Sequence, residues 1–409
     1  MPAPQPYTPQ QHPSYAPPPG WAPMPSVPPP AGTPTSVVVL GGLVVALALV
    51  VVALMVSRGS GRTRTDDFPS SPTSGGDRNA SHVGPCRMEK EPRRLAGPLH
   101  AAVPLRLAGA PGSTRIAVGY ADSPTSGVGL TLDPATLDAD QPFKGDSGRP
   151  IVDVVPIVAE GKLGFSVDRD DSGLAFGVSV DSRPRFLVGM GGSGFARKTA
   201  SSVDVLWAVP SDQKITTPRI ESVDGVGHAV GFRRGGQDGS LVVGWLEPDG
   251  RKKSELSVLT SSGKPLVGTP SLASNDKRLL VSFAARASAT APWNLELGTS
   301  VHGAVPTSTT TFSIPPGGPG GEAISPAAGG LTGDRWLLSW TEGAQGNRVV
   351  RVQALGSDLI PAGNALSVSP EAANAGQSVV WVRGETAVVL FLSQKGRSHE
   401  LWGTTLRCR

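Results

Sequence analysis

The chain has 409 residues, and its 52 Gly and 40 Pro are too many, and too evenly scattered, for a protein of long helices. Its 37 basic and 33 acidic residues leave a net charge of +4 with no basic block, which excludes a dedicated nucleic-acid binder. Two cysteines exclude a disulfide-dense scaffold and a four-cysteine zinc site.

Residues 1–36 hold 14 prolines and no Lys, Arg, Asp or Glu. Such a stretch cannot bury enough apolar surface to offset the entropy of ordering it. It is expected to be a disordered tail with polyproline II character.

Residues 37–56 read VVVLGGLVVALALVVVALMV, 20 uncharged residues. At the helical rise these span about 30 Å, the thickness of the hydrocarbon layer. The lipid bilayer is therefore an expected partner, through one uncleaved transmembrane helix. Residues 57–85, rich in Ser, Gly and Pro, are expected to form a flexible linker.

Residues 86–409 read as all-β. Short runs rich in Val, Leu, Phe and Trp, such as RLLVSF, RWLLSW and AVVLFL, are bounded by Gly, Pro, Asp or Asn. A proline recurs near the head of each presumed unit, at Pro104, Pro156, Pro218, Pro270, Pro326 and Pro370. Units of about 45–55 residues with four strands have the size of propeller blades. Six units predict a six-bladed β-propeller.

Too few residues follow Pro370 for four strands, so the start of the domain is expected to supply the missing outer strand. Cys86 opens that segment and Cys408 closes the last strand. Antiparallel pairing sets the start of one strand beside the end of its neighbour. The two cysteines are thus expected to be bridged.

The segment SPAAGGLTGDRWLLSWTEG at 325–343 resembles the repeats of bacterial membrane-anchored extracytoplasmic β-propeller proteins. The resemblance implies the fold and carries no activity, because the Asp-boxes of sialidases are absent.

Other motifs have simpler readings. GDSGRP at 145–150 is similar to the nucleophile loop of trypsin-like proteases, but His100 lies too close upstream to leave room for a first barrel. A turn between blades accounts for it. GMGGSG at 189–194 matches a dinucleotide-binding pattern with no helix following it. In DRDDSG at 168–173, Asp168, Asp170 and Ser172 are spaced like the front half of a calcium loop, yet Ser179 stands where the closing glutamate belongs. Calcium is the one cofactor these residues suggest. The same residues suit a solvated hairpin tip.

In a propeller, the loops between second and third strands gather on one face. These loops place Asp122, Asp168, Asp170, Arg233, Arg234, Arg286 and Glu342 on one surface, a mixed-charge face suited to a protein or glycan partner. The principal expectation is a non-catalytic, membrane-anchored binding or scaffold protein. The alternative is a propeller-type glycan hydrolase or lyase, which needs carboxylates at the channel mouth, with Asp122, Asp168 and Glu342 as candidates.

Membrane orientation is read from two opposed signals. Arg58, Arg62 and Arg64 follow the span and favour a cytoplasmic propeller. The cysteine pair favours an oxidising compartment. The cysteine pair takes precedence here, so the tail is expected inside a bacterial cell and the propeller outside.

Overall fold

The structure, a computed structural model, describes residues 86–409 except 101–104, 110–113, 147, 149, 160–161, 170–176, 181–182, 191–193, 199–202, 208–214, 235–238, 249–252, 254–256, 260–265 and 371–372. Between 152 and 218 it describes chiefly the backbone. The Pro-rich tail, the apolar span at 37–56 and the linker lie outside the described residues, as do Asp170 and Ser172. Among the described residues no helix is long and apolar enough to cross a membrane.

The described chain is built of antiparallel sheets. Five blades of four or five strands have described side chains. They cover 106–146, 215–259, 266–312, 323–367 and a closing blade made from both ends of the domain. The blade at 323–367 shows the pattern: Ala323–Leu331, Arg335–Glu342, Val349–Leu355 and Pro361–Ser367 pair in chain order. In the closing blade Ala375–Arg383, Thr386–Lys395 and Ser398–Arg407 are completed by Arg87–Met88 and Arg93–Leu99, both paired with the last of the three.

First strands of successive sheets pack against one another. The series runs Arg106–Gly109, Ile151–Ala159, Gly177–Val180, Ile215–Val223, Ser271–Ser274, Ala323–Leu331, Ala375–Arg383 and back to Arg106–Gly109. That closed ring of innermost strands makes the fold an all-β propeller.

The expected count of six blades does not hold. The repeat reading assigns one blade to the span between Pro156 and Pro218. There the backbone forms a two-stranded ladder, Ile151–Ala159 with Lys162–Arg169, and a separate four-stranded sheet at 177–207. Proline spacing misleads because several of the prolines lie inside strands and do not mark their starts. Pro218 and Pro326 lie inside first strands, at register shifts between Thr216 and Arg219 and between Ile324 and Ala327. A bulge leaves one residue unpaired, and proline, lacking an N–H, suits that site.

The apolar runs have a packing reason. Leu279, Val281 and Phe283 face the 215–259 blade, whereas Leu280 and Ala284 from the same strand face the 323–367 blade. Likewise Val389 and Phe391 pack toward the 323–367 blade, and Val388, Leu390 and Leu392 toward the 106–146 blade. A strand buried on both faces reads as a continuous apolar run instead of an alternation. Trp245, Trp336 and Trp340 are fully buried between blades, which makes them core residues, not ligand platforms.

Cys86 and Cys408 are disulfide-bonded, with Cα atoms 4.0 Å apart. The neighbouring register, Arg87 opposite Arg407 and Met88 opposite Leu406, sets the two cysteines at matching ends of paired strands.

Candidate active site

The expected mixed-charge face does not assemble as one surface. Glu342 is withdrawn from it. Its side chain is 2% exposed and pairs with the equally buried Arg351 at 2.9 Å. Trp340 Nε1 and the Gly320 N–H donate to the same carboxylate. Arg351 in turn donates to the carbonyls of Pro315 and Pro316. The cluster ties the Gly- and Pro-rich connection at 313–322 to the blade beneath it, and no oxygen of Glu342 is left for substrate. A buried carboxylate needs this set of donors to offset its lost hydration.

Asp122 follows the strand Ile116–Ala121 and accepts from Lys144 Nζ at 3.0 Å. Partial burial opposes its ionisation, but hydrogen bonds from Lys144 and Ser126 and the Lys144 charge outweigh it. Its carboxyl is held below the usual aspartate range. Beside it, burial and then the Asp122 charge push Tyr120 up to about 12. Asp122 and Glu342 stand on blades separated by the closing blade, each with its own cation, so the structure does not bring them together as a catalytic pair. Asp168 belongs to the strand Lys162–Arg169, opposite Asp153 in register; its side chain is not described.

The three arginines fare differently. Arg233, Arg234 and Arg286 end the second strands of two adjacent blades. Arg233 Nη1 donates to the Val267 carbonyl of the neighbouring blade at 3.2 Å, and Val267 pairs with Ala285, next to Arg286. Arg234, the residue after Arg233, faces the opposite side of its sheet, and Arg286 lies over Trp293 on the side of the 323–367 blade, so the three cations are not brought together on one surface.

A carboxylate not singled out from sequence has the geometry a proton-transfer group needs. Glu221 lies on the first strand Ile215–Val223. Its Oε1 accepts from both the backbone N–H of Ser274, at 3.1 Å, and the Ser274 hydroxyl, at 2.7 Å. Ser274 ends the first strand of the next blade. The following N–H, of Asn275, donates outward to the Arg278 carbonyl. Successive N–H groups of a strand point to opposite edges, so the Ser274 N–H points inward, toward the propeller axis. The Glu221 carboxyl therefore sits on the axial edge of the ring. Burial pushes it up to about 7, even against the two Ser274 hydrogen bonds, which favour the ionised form.

Among the described residues Oε2 of Glu221 has no hydrogen-bond partner, and the residue is only partly buried. One oxygen is pinned and the other is open, with protonated and ionised forms both populated near neutrality. That is the arrangement of a general acid or base. The neighbouring glycine shows how tightly the ring closes here: a Cβ on Gly330 would lie 2.2 Å from the Ser274 carbonyl oxygen. Its sequence signal is a glutamate inside a strand of the innermost ring, away from the loops that carry the other candidates. Among the described residues no cluster of His, Cys, Asp or Glu could hold a metal ion; two of the candidate calcium ligands, Asp170 and Ser172, lie outside them.

No protein-family model matches the chain, and no curated protein matches it by sequence. Its fold is similar to solved structures. A protein of unknown function from Dyadobacter fermentans is 10% identical, with a TM-score of 0.50 over 79% of this chain and 99% of its own. An alpha-L-arabinanase of Penicillium chrysogenum, complexed with arabinobiose, is 10% identical, with a TM-score of 0.50 over 78% of this chain and 98% of its own. The Cps50 (Swd1) beta-propeller domain of Myceliophteria thermophila is 10% identical, with a TM-score of 0.46 over 74% and 98%. These matches concern the propeller fold and do not reach the bacterial extracytoplasmic repeat class. They also correct the expectation of a non-catalytic scaffold. The same architecture, over nearly the whole length of a solved protein, is that of an arabinanase, and the absence of Asp-boxes was no argument against catalysis.

Proposed function

We propose that the chain is a propeller-fold enzyme that cleaves glycans, as a hydrolase or lyase, with Glu221 as the proton-transferring group. The observation that carries this reading is the Glu221 carboxyl itself. It is held by Ser274 through one oxygen, open through the other, and pushed up to about 7 by burial at the axial edge of the ring. Protonation of a leaving oxygen, or removal of a proton next to a uronate carboxyl, needs a group of this pKa at working pH. The fold shared with an arabinanase complexed with arabinobiose supports a glycan chain as the substrate class.

The test is a panel of purified polysaccharides, arabinan and polygalacturonate among them. Released reducing ends report hydrolysis, and ultraviolet absorbance of unsaturated uronate reports elimination. Wild-type protein is expected to cleave at least one member with a pH limb near 7. Glu221→Gln is expected to lose at least a hundredfold in kcat while keeping its fold. Cleavage by Glu221→Gln at the wild-type rate, or no product from any polymer in the panel, overturns the reading.

The enzyme is further proposed to be held on a bacterial membrane by residues 37–56, with the Pro-rich tail inside and the propeller outside. The support is the 20-residue uncharged span together with a cysteine pair that persists in oxidising compartments. Protease shaving of spheroplasts, with antibodies to each end, checks it. Loss of the propeller with the tail protected is expected; the reverse overturns the orientation.

A further inference from the structure

The first strands of four consecutive blades share one irregularity. Each carries an extra residue at the same register, so that two of its residues oppose one aromatic of the second strand. Thr217 and Pro218 oppose Phe232, between the pairs Thr216–Arg233 and Arg219–Gly231. Ser325 and Pro326 oppose Trp340, between Ile324–Thr341 and Ala327–Ser339. Gln377 and Ser378 oppose Phe391, between Gly376–Leu392 and Val379–Leu390. In the 266–312 blade the extra residue falls where the first strand is split. Thr269 and Pro270 stand opposite Phe283, between the Gly268 N–H bond to the Ala284 carbonyl and the Ser271–Ser282 pair.

The four aromatics are fully buried. Pro270, Pro326 and Ser378, each second in its dipeptide, are buried as well. The residues before them are not: Thr269 and Ser325 are half-buried and Gln377 is exposed. An innermost strand packs its faces on the neighbouring blades, and its unbonded edge lines the central channel. Accessible surface on it therefore opens to the channel or its mouth. The backbone supports a functional role. Ser325 and Gln377 both have a φ of 51°, in the left-handed region that non-glycine residues enter at a cost. Strain kept in this way clusters at ligand sites.

The irregularities also lie at one level. Thr217, Ser325 and Gln377 are each the third residue of a strand of 9 residues. Gly330, five residues beyond Ser325, approaches Ser274, five residues beyond Thr269. Gly329 lies against Val380 and Val382, which flank the fourth residue beyond Gln377. These matched offsets set the accessible residues side by side, near the end of the channel at which the first strands begin.

We infer that Thr269, Ser325 and Gln377 form a collar of uncharged hydrogen-bonding side chains at the channel mouth, a subsite for the hydroxyl groups of a neutral sugar unit. Thr217 holds the equivalent position in the 215–259 blade; its side chain is not described. Hydroxyl and amide groups both donate and accept, as sugar hydroxyls do. Among the described residues none of the three side chains has a hydrogen-bond partner. The charged side chains nearest in register, Arg219 and Arg233, are engaged elsewhere. The inference rests on the glycan reading above. Glu221 stands four residues beyond Thr217 on the same strand, roughly 13 Å further along the channel. The collar holds one sugar unit and the carboxyl serves a bond beyond it.

Affinity electrophoresis of the full chain in neutral detergent tests this, through gels containing arabinan, galactan or xylan, which are neutral, or acidic polygalacturonate. Wild-type protein is expected to be retarded by at least one neutral polymer. Ser325→Gly and Gln377→Gly remove the side chain and suit a positive φ. Each is expected to keep or raise the urea midpoint while weakening that retardation roughly threefold to tenfold, the loss of one hydrogen bond. Thr269→Val, which keeps the side-chain shape, is expected to weaken it alike. Glu221→Gln is expected to be retarded as wild type. Retardation by polygalacturonate alone, by no polymer, or equally for wild type and the Ser325→Gly, Gln377→Gly double variant overturns the inference. Weaker retardation together with a lowered urea midpoint in that variant assigns both residues to the fold and overturns it too. Cleavage by Glu221→Gln at the wild-type rate sinks the catalytic reading and leaves the collar standing, so the two fail separately.

Discussion

Arg351 and Glu342 are both 2% exposed and lie 2.9 Å apart, and Trp340 Nε1 and the Gly320 N–H complete the coordination of the carboxylate. The pair is the anchor of the 313–322 connection, since Arg351 also holds the carbonyls of Pro315 and Pro316. Replacing one member leaves the other as an uncompensated buried charge. Glu342→Gln is expected to cost about 3–5 kcal/mol in urea unfolding. The double replacement Glu342→Leu with Arg351→Met is expected to cost less than the single one, because no charge is stranded.

The raised Glu221 carboxyl makes stability depend on pH. Its unfolded value is the ordinary one of 4.5, and its folded value is about 7. A group whose folded pKa is raised binds its proton more tightly when folded. Its contribution is therefore complete below about 4.5 and lost as pH rises through about 7. Glu221→Gln is expected to remove that loss, so that the variant gains on the wild type across this window, by on the order of 1–3 kcal/mol. Urea midpoints of both proteins at pH 5 and pH 8 check it.

The Cys86–Cys408 bond joins residues 322 positions apart, the two ends of the closing blade. Its loss frees Arg87–Met88 to peel from the last strand. The Cys86→Ser, Cys408→Ser double variant is expected to be about 2–5 kcal/mol less stable. Thermal melts of oxidised wild-type, reduced wild-type and variant protein check this, the last two melting together.

Gly330 is required by close approach rather than by backbone conformation. An added Cβ would meet the Ser274 carbonyl oxygen at 2.2 Å and Asn275 at 2.7 Å. Gly330→Ala must move backbone of the neighbouring blade, at a cost of about 1–3 kcal/mol. Because the displaced residue is the one that pins Glu221, the variant is also expected to lose activity, with its pH limb shifted. Kinetics as a function of pH distinguish this from simple loss of fold.

Much of the domain was legible in the residues. Continuous apolar runs of β-branched and aromatic type, cut by Gly and Asp turns, predict strands buried on both faces, and RLLVSF, RWLLSW and AVVLFL are such strands. The closing of the ring by its N-terminal strands and the pairing of Cys86 with Cys408 followed from the short last unit and from antiparallel geometry. These features are local, or depend on the two ends of one sheet, so periodicity and chain order suffice to find them.

The blade count and the site were decided by tertiary structure. Proline spacing suggests one blade between Pro156 and Pro218 where two sheets stand, because Pro156, Pro218 and Pro326 lie inside strands and not at their starts. Glu342 and Arg286 both end second strands. One is sealed in an ion pair and the other lies over the Trp293 ring, a difference set by which side chains the third strand and the connections supply. Glu221 looks like any strand glutamate until the ring brings Ser274 to it from 53 residues away. Burial and hydrogen bonding between blades set a carboxyl's proton affinity, and both are properties of the closed ring that no single blade possesses.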